Sequence, residues 1–227
     1  MATTFQRARS DEQRAIRRQT ILDTATAMLA EMPVSELSLN ELSRRVGLAK
    51  SNVLRYFDSR EAVLLELLDS LSREWLAHLE REIPATVSRR AGFERRAEQL
   101  AGVLARSLAE RPVLCDLLSA QASVLEHNVS TESITSFKRR SVATAATFVG
   151  LIRQALPELS EDQAWRLILG ALLMSSSLWA NATPPQAVLD AYEQIPELRS
   201  MRLDFAETLE DTVATLAVGM HARSRRR

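Results

Sequence analysis

Lys50, Ser51, Asn52 and Arg55 crowd into one short stretch, and their side chains suit the edges of nucleobases. An arginine fork matches the paired acceptors of guanine, and an asparagine amide matches the acceptor and donor of adenine. Lys50 suits a phosphate as well as a base edge. Around this set stand Ser38, Asn40, Arg44, Tyr56 and Arg60. Their hydroxyl, amide and guanidinium groups suit phosphate oxygens, contacts that set register without reading sequence. Arg44 and Arg45 are also what a solvated helix face carries, and Arg44 is the preferred contact of the two.

Other chemistry is poorly served. His78, His127 and His221 are far apart and match no zinc spacing such as His-Glu-x-x-His. Cys115 is the single cysteine, has no catalytic signature beside it and reads as a buried hydrophobe. It also excludes an intrachain disulfide, which fits a reducing cytoplasm. None of the 6 glycines builds a phosphate-cradling loop, and Glu161-Asp162 suits the positive end of a helix better than acid–base work. The expectation is therefore no metal, no cofactor and no enzymatic activity. A helical scaffold or an enzyme that does not bind DNA is the alternative from a different class. Substrate turnover, or a salt-dependent shift of promoter DNA, separates the two.

The elements that must position these residues are helices. Of 227 residues 46% are apolar and 26% charged, with only 6 Gly and 7 Pro, and no stretch alternates as a strand does. Ser38 to Phe57 reads as two short helices joined by a tight turn. Ser38 caps the first, Glu41 reaches back to complete a capping box, and Leu39, Leu42 and Val46 share a face. Gly47 ends that helix in a left-handed turn. Small Ser43 allows a close crossing, and the second helix starts near Lys50 with Val53, Leu54 and Phe57 as its apolar side. A glycine in a three- to four-residue turn between two such helices is the helix-turn-helix layout.

Before this pair, residues 1 to about 10 read as a loose arm. Ser10 or Asp11 then caps a helix whose apolar face is Ile16, Ile21, Leu22, Ala25, Met28, Leu29 and Met32, ended by Pro33. After the pair, Asp58 or Ser59 caps a long connector through Val63, Leu67, Trp75 and Leu79 that ends before Pro84. The body reads as helices over Phe93–Glu110, Val113–His127, Thr131–Leu156, Ser160–Ala182, Gln186–Tyr192 and Asp204–Met220. The terminal Arg223, Arg225, Arg226 and Arg227 read as a solvated tail. The whole chain has no net charge, but residues 1–60 hold ten basic side chains against seven acidic ones, a net +3. That excludes a basic coat and allows a basic patch. The N-terminus lacks a signal-peptide core, and the most apolar run, Leu167–Ala180, is too short to span a bilayer.

Residues 16 to about 68 resemble the DNA-binding head of the tetracycline-repressor (TetR) family of bacterial transcriptional regulators. The resemblance is carried by ILDTATAML, SLNELSRRVGLAKSNVLRYF and FDSREAVLLELL, with the aromatic pair Tyr56-Phe57 and the Ser-Arg-Glu start of the next helix. The chain departs from the family pattern at Met32-Pro33 (usually Gly), Ala49 (usually Ser or Thr), Leu54 (usually a phosphate-touching Tyr) and Arg60 (usually Lys). Losing the cap at Ala49 costs about 1 kcal/mol.

The resemblance implies an all-α protein: a three-helix DNA-binding head over residues 12–60, with its helix-turn-helix at about 38–57, a connector over 61–83, and an effector-binding and dimerisation bundle over 84–222. It further implies a cytoplasmic homodimer on palindromic double-stranded operator DNA, released by a small-molecule effector and acting as a repressor, with activation as the alternative. Helices Ser160–Ala182 and Asp204–Met220 are the implied dimer bundle. Candidate effector contacts are Cys115, Gln121, His127, Asn128, Phe137, Phe148, Trp165, Met174, Trp179 and Asn181, each of which also suits core, interface or surface.

Overall fold

The computed structural model describes the backbone of residues 2–225 and the side chains of residues 12–225. Its elements are α1 (Ala2–Leu29), α2 (Leu39–Val46), α3 (Lys50–Val53), α4 (Arg60–Thr86), α5 (Phe93–Ala109), α6 (Pro112–Ala120), a π-helical turn (Gln121–Leu125), α7 (Thr131–Ala155), α8 (Glu161–Ala182), α9 (Gln186–Gln194), a 3₁₀ segment (Pro196–Met201) and α10 (Phe205–Ser224). No strand occurs among the described residues.

Two compact units divide the chain: residues 1–70 with 120–138, and residues 71–119 with 139–227. The first unit is built on Ile21, Ala25, Met28, Leu37, Leu42, Val53 and Leu64, all essentially buried. Ser38 accepts a hydrogen bond from the Glu41 N–H at 3.2 Å, and Gly47 sits at φ 72° as the left-handed stop of α2. A Cβ on Gly47 would meet nothing within 4 Å, so backbone angle rather than space calls for glycine there. Ser43 is buried and bonds its own helix at the Leu39 carbonyl. In the second unit α10 packs on α5 and α8. At Gly102 on α5 a Cβ would stand 3.2 Å from Glu210 of α10, so the two helices touch through the missing side chain.

Several local expectations are corrected. The N-terminal arm is helical from Ala2, so neither Ser10 nor Asp11 is a cap. No Gly or Pro interrupts residues 2–29, and nothing local stops the helix. The side chains of Arg7, Arg9, Ser10 and Asp11, and all of Arg226 and Arg227, lie outside the described residues. Ile16 is 61% exposed rather than part of the apolar face, and Leu54 is 41% exposed beside buried Val53 and Phe57. The Glu41 carboxylate turns to Arg44 and Arg45, so the expected capping box at Ser38 is half made. A complete box forms instead at Ser160, where Gln163 returns the bond.

α4 runs two residues past Pro84, because a proline so near the end forfeits only one of the last helical bonds. The helix expected over 113–127 starts at Pro112 and loosens into the π-helical turn at Gln121. Pro112 at the first position costs no helical hydrogen bond.

Candidate nucleic-acid interface

α3 is one turn long, and its residues divide cleanly. Val53 is fully buried, while Lys50, Ser51 and Asn52 are exposed. Backbone bonds from Leu54 N to Lys50 O and from Phe57 N to Val53 O carry the helical path through Phe57. Ala49 supplies no side-chain cap. The turn is therefore held from beneath. The Arg18 guanidinium lies 4.2 Å from the centre of the Phe57 ring and donates to the Tyr56 carbonyl and to Glu66 of α4. Arg18 thus ties α1, the turn after α3 and α4 together. Sequence reading missed that role, since only a partner 48 residues away reveals it.

The remaining candidates fall in different settings. Arg55 is exposed and Tyr56 is half-buried, and both line a cleft against α1. Ser38 and Asn40 are exposed at the start of α2. Arg44 is exposed and pairs with Glu41 at 2.6 Å; Arg45 bridges Glu41 and Glu31 at 3.0 and 2.6 Å. Hydrogen bonds from Arg44, then from Arg45, hold the Glu41 carboxyl down at about 2. Arg60 turns inward. Its guanidinium donates to the Val34 carbonyl and pairs with Glu61 at 3.2 Å, leaving its side chain 20% exposed.

Ser59 rather than Asp58 caps α4, accepting from Ala62 N at 3.1 Å. Asp58 instead accepts from the Ser130 N–H at 3.2 Å and the Ser133 hydroxyl at 2.9 Å. Burial pushes its carboxyl up, but these bonds outweigh it and the group sits below its ordinary value. The segment 120–138 is thereby fastened beside the turn after α3 within one compact unit. Glu126, held by Lys138 and Gln121, closes that segment on itself.

The ten candidate effector residues divide between the units. Gln121, His127, Asn128 and Phe137 belong to the first, and Asn128 holds a left-handed φ of 53°. In the second, Cys115 is buried against the Leu108 carbonyl at 3.3 Å, and burial pushes its thiol up to about 12, an inert core group. Phe148 is buried edge-on to Trp75. Trp179 donates to Asp116 at 2.7 Å and meets Phe205 edge-on. Trp165 and Met174 are half-buried, and Asn181 is exposed with its amide on the Ser177 carbonyl. Among the described residues no group of three His, Cys, Asp or Glu could hold a metal ion, and no helix is long and apolar enough to cross a membrane.

A buried scaffold under a short, outward-facing second helix, followed by an all-helical body, defines the helix-turn-helix regulator class. Residues 21–67 match the family model described as bacterial regulatory proteins, tetR family, and residues 69–224 match the tetracyclin repressor-like C-terminal domain. The chain belongs to the TetR family.

Over 49 residues it is 41% identical to the HTH-type transcriptional regulator EthR of Mycobacterium tuberculosis, covering 22% of this chain and 23% of EthR. The chain thus matches about a quarter of the length of the curated relatives found. Solved structures extend the likeness of fold. A TetR transcriptional regulator from Rhodococcus sp. RHA1 superposes with a TM-score of 0.58 at 11% identity, over 91% of this chain and 95% of that one. FadR of Bacillus subtilis, solved in complex with stearoyl-CoA, gives 0.54 at 14% identity, over 89% and 98%.

Proposed function

We propose that this chain is a dimeric, cytoplasmic, non-enzymatic repressor that binds a palindromic DNA operator and leaves it when a small molecule binds the body. The observation that carries the reading is the division of α3: Lys50, Ser51 and Asn52 face solvent while Val53 and Phe57 fix the turn to the head core. A helix held in this way can enter a major groove without losing its footing. Lys50, Ser51 and Asn52 are the base readers of this reading, and Ser38, Asn40, Arg44 and Tyr56 its phosphate contacts. Arg60, engaged with Val34 and Glu61, serves as a brace of the head.

The dimer is supported by α8. Leu169 and Leu173 are 59% and 62% exposed, one turn apart, on a helix that packs against α10. Exposed leucines in such a row favour a matching copy. Two heads would then address half-sites about 34 Å apart. An effector in the body needs a preference of only about 1–3 kcal/mol for the released form. That FadR relative with its bound stearoyl-CoA supports a body that admits a small ligand.

The test is fluorescence anisotropy of the full chain on fragments selected from its source genome. A tight complex is expected, with log affinity falling linearly against log salt as counterions are released. A flat salt response, or no selected fragment, refutes the reading.

A further inference from the structure

Most arginines of the head, among the described residues, are engaged inside it. Arg18 holds Glu66, Arg44 and Arg45 hold Glu41, and Arg60 holds Glu61. The side chains of Arg14, Arg17 and Arg55 make no ion pair or hydrogen bond with a described residue. These three converge, with Ile16 and Tyr56, on one cleft of about 730 Å³ between α1 and the turn after α3. Among the described residues no acidic side chain lines it.

Three like charges brought together, with no counter-charge among the described residues, favour a bound anion. Arg14 and Arg17 are three residues apart on α1 and so share a face, opposite Arg55. Ile16, largely exposed in the same cleft, offers an apolar surface that suits a sugar ring rather than a free ion.

We infer that this cleft is the seat of one backbone phosphodiester of bound DNA, held jointly by Arg14, Arg17 and Arg55. Arg55 then positions the head and does not read a base, contrary to its assignment from sequence. The inference rests on the DNA-binding reading and adds α1 to the contact surface. It also accounts for Arg55 lining the cleft with α1, beyond the end of α3, while Lys50 to Asn52 stand on α3 itself.

The test uses the full chain, the Arg14→Ala/Arg17→Ala double variant and the Arg55→Ala variant, each on a selected operator duplex and on an unrelated duplex. Both variants should weaken binding to the two duplexes by the same factor, about tenfold or more, leaving their ratio unchanged. The slope of log affinity against log salt should become shallower by about one per head. With the unaltered protein, a neutral methylphosphonate at one position of each half-site should cause the same loss, and combining it with the double variant should add nothing.

Loss by Arg55→Ala on the operator alone would return Arg55 to base reading and overturn the inference. So would unchanged affinity and slope in the double variant. Micromolar binding of inorganic phosphate, abolished by the double variant while DNA affinity stays constant, would make the cleft a free-anion site and also overturn it. If the unaltered chain binds neither duplex, the DNA reading itself fails, a result distinct from the other three.

Discussion

α3 and α8 are opposite solutions to holding a helix. α3 has one turn, no side-chain cap at Ala49 and one buried side chain. α8 has 22 residues, a complete capping box at Ser160 and a row of buried residues from Ala164 to Leu178. An isolated single turn is not stable in water, so α3 exists only through what lies beneath it. Phe57, the Arg18 tie and the Gly47 stop supply that support. α8 carries much of its own order in its sequence. The head thus exposes chemistry on a borrowed support, whereas α8 supplies its own.

The largest way to break that contrast is Phe57→Ala. Phe57 is buried, and Phe-to-Ala changes in cores cost about 3–5 kcal/mol. The head should unfold at a lower temperature and DNA affinity should vanish, while the C-terminal unit keeps its helicity. Calorimetry with circular dichroism checks this, and a variant that melts and binds like the unaltered chain contradicts it.

A smaller effect separates the two helix starts. Ser160→Ala should destabilise α8 by about 1 kcal/mol, and Ala49→Ser should stabilise the head by about the same amount or less. Denaturant titrations read both changes, and a loss from Ala49→Ser would show that the turn's geometry rejects a cap.

The smallest effect is electrostatic. Glu41 is held down to about 2 from an ordinary 4.5 by Arg44 and Arg45. A carboxyl depressed on folding contributes stability above its unfolded value and loses it as pH falls through the folded one. The Glu41–Arg44–Arg45 cluster should therefore persist at pH 4 and come apart on further acidification toward about 2. Carbon NMR of the Glu41 carboxyl should titrate near 2, and near the ordinary value in an Arg44→Ala/Arg45→Ala variant.

What could be read from sequence follows the same division. Ser38 and Gly47 act through their neighbours, so their cap and turn are legible, as is the cap at Ser160 at the start of α8. Arg60 reads from sequence as a phosphate contact, and its bond to the Val34 carbonyl is not legible there because that partner is 26 residues away. Asp58 looked like a cap because Ser130 and Ser133 meet it only in the folded chain. Leu54 follows apolar spacing yet faces outward, since the one-turn α3 buries few positions, and Ile16 lies on α1 ahead of the stretch that is buried from Ile21 onward. The π-helical turn at Gln121 has no local sequence mark, and Arg14 and Arg17 acquire meaning only when the fold brings Arg55 beside them.

The ratio of affinities for the selected operator and an unrelated duplex, measured for the unaltered chain and for Asn52→Ala, tests whether α3 reads DNA. Asn52 is exposed and outside the head core, so the fold should be unchanged. A bidentate base contact is worth about 1–3 kcal/mol of discrimination, so the ratio should fall roughly five- to 150-fold while affinity for the unrelated duplex stays constant. An unchanged ratio would contradict the assignment of α3 as the element that reads DNA.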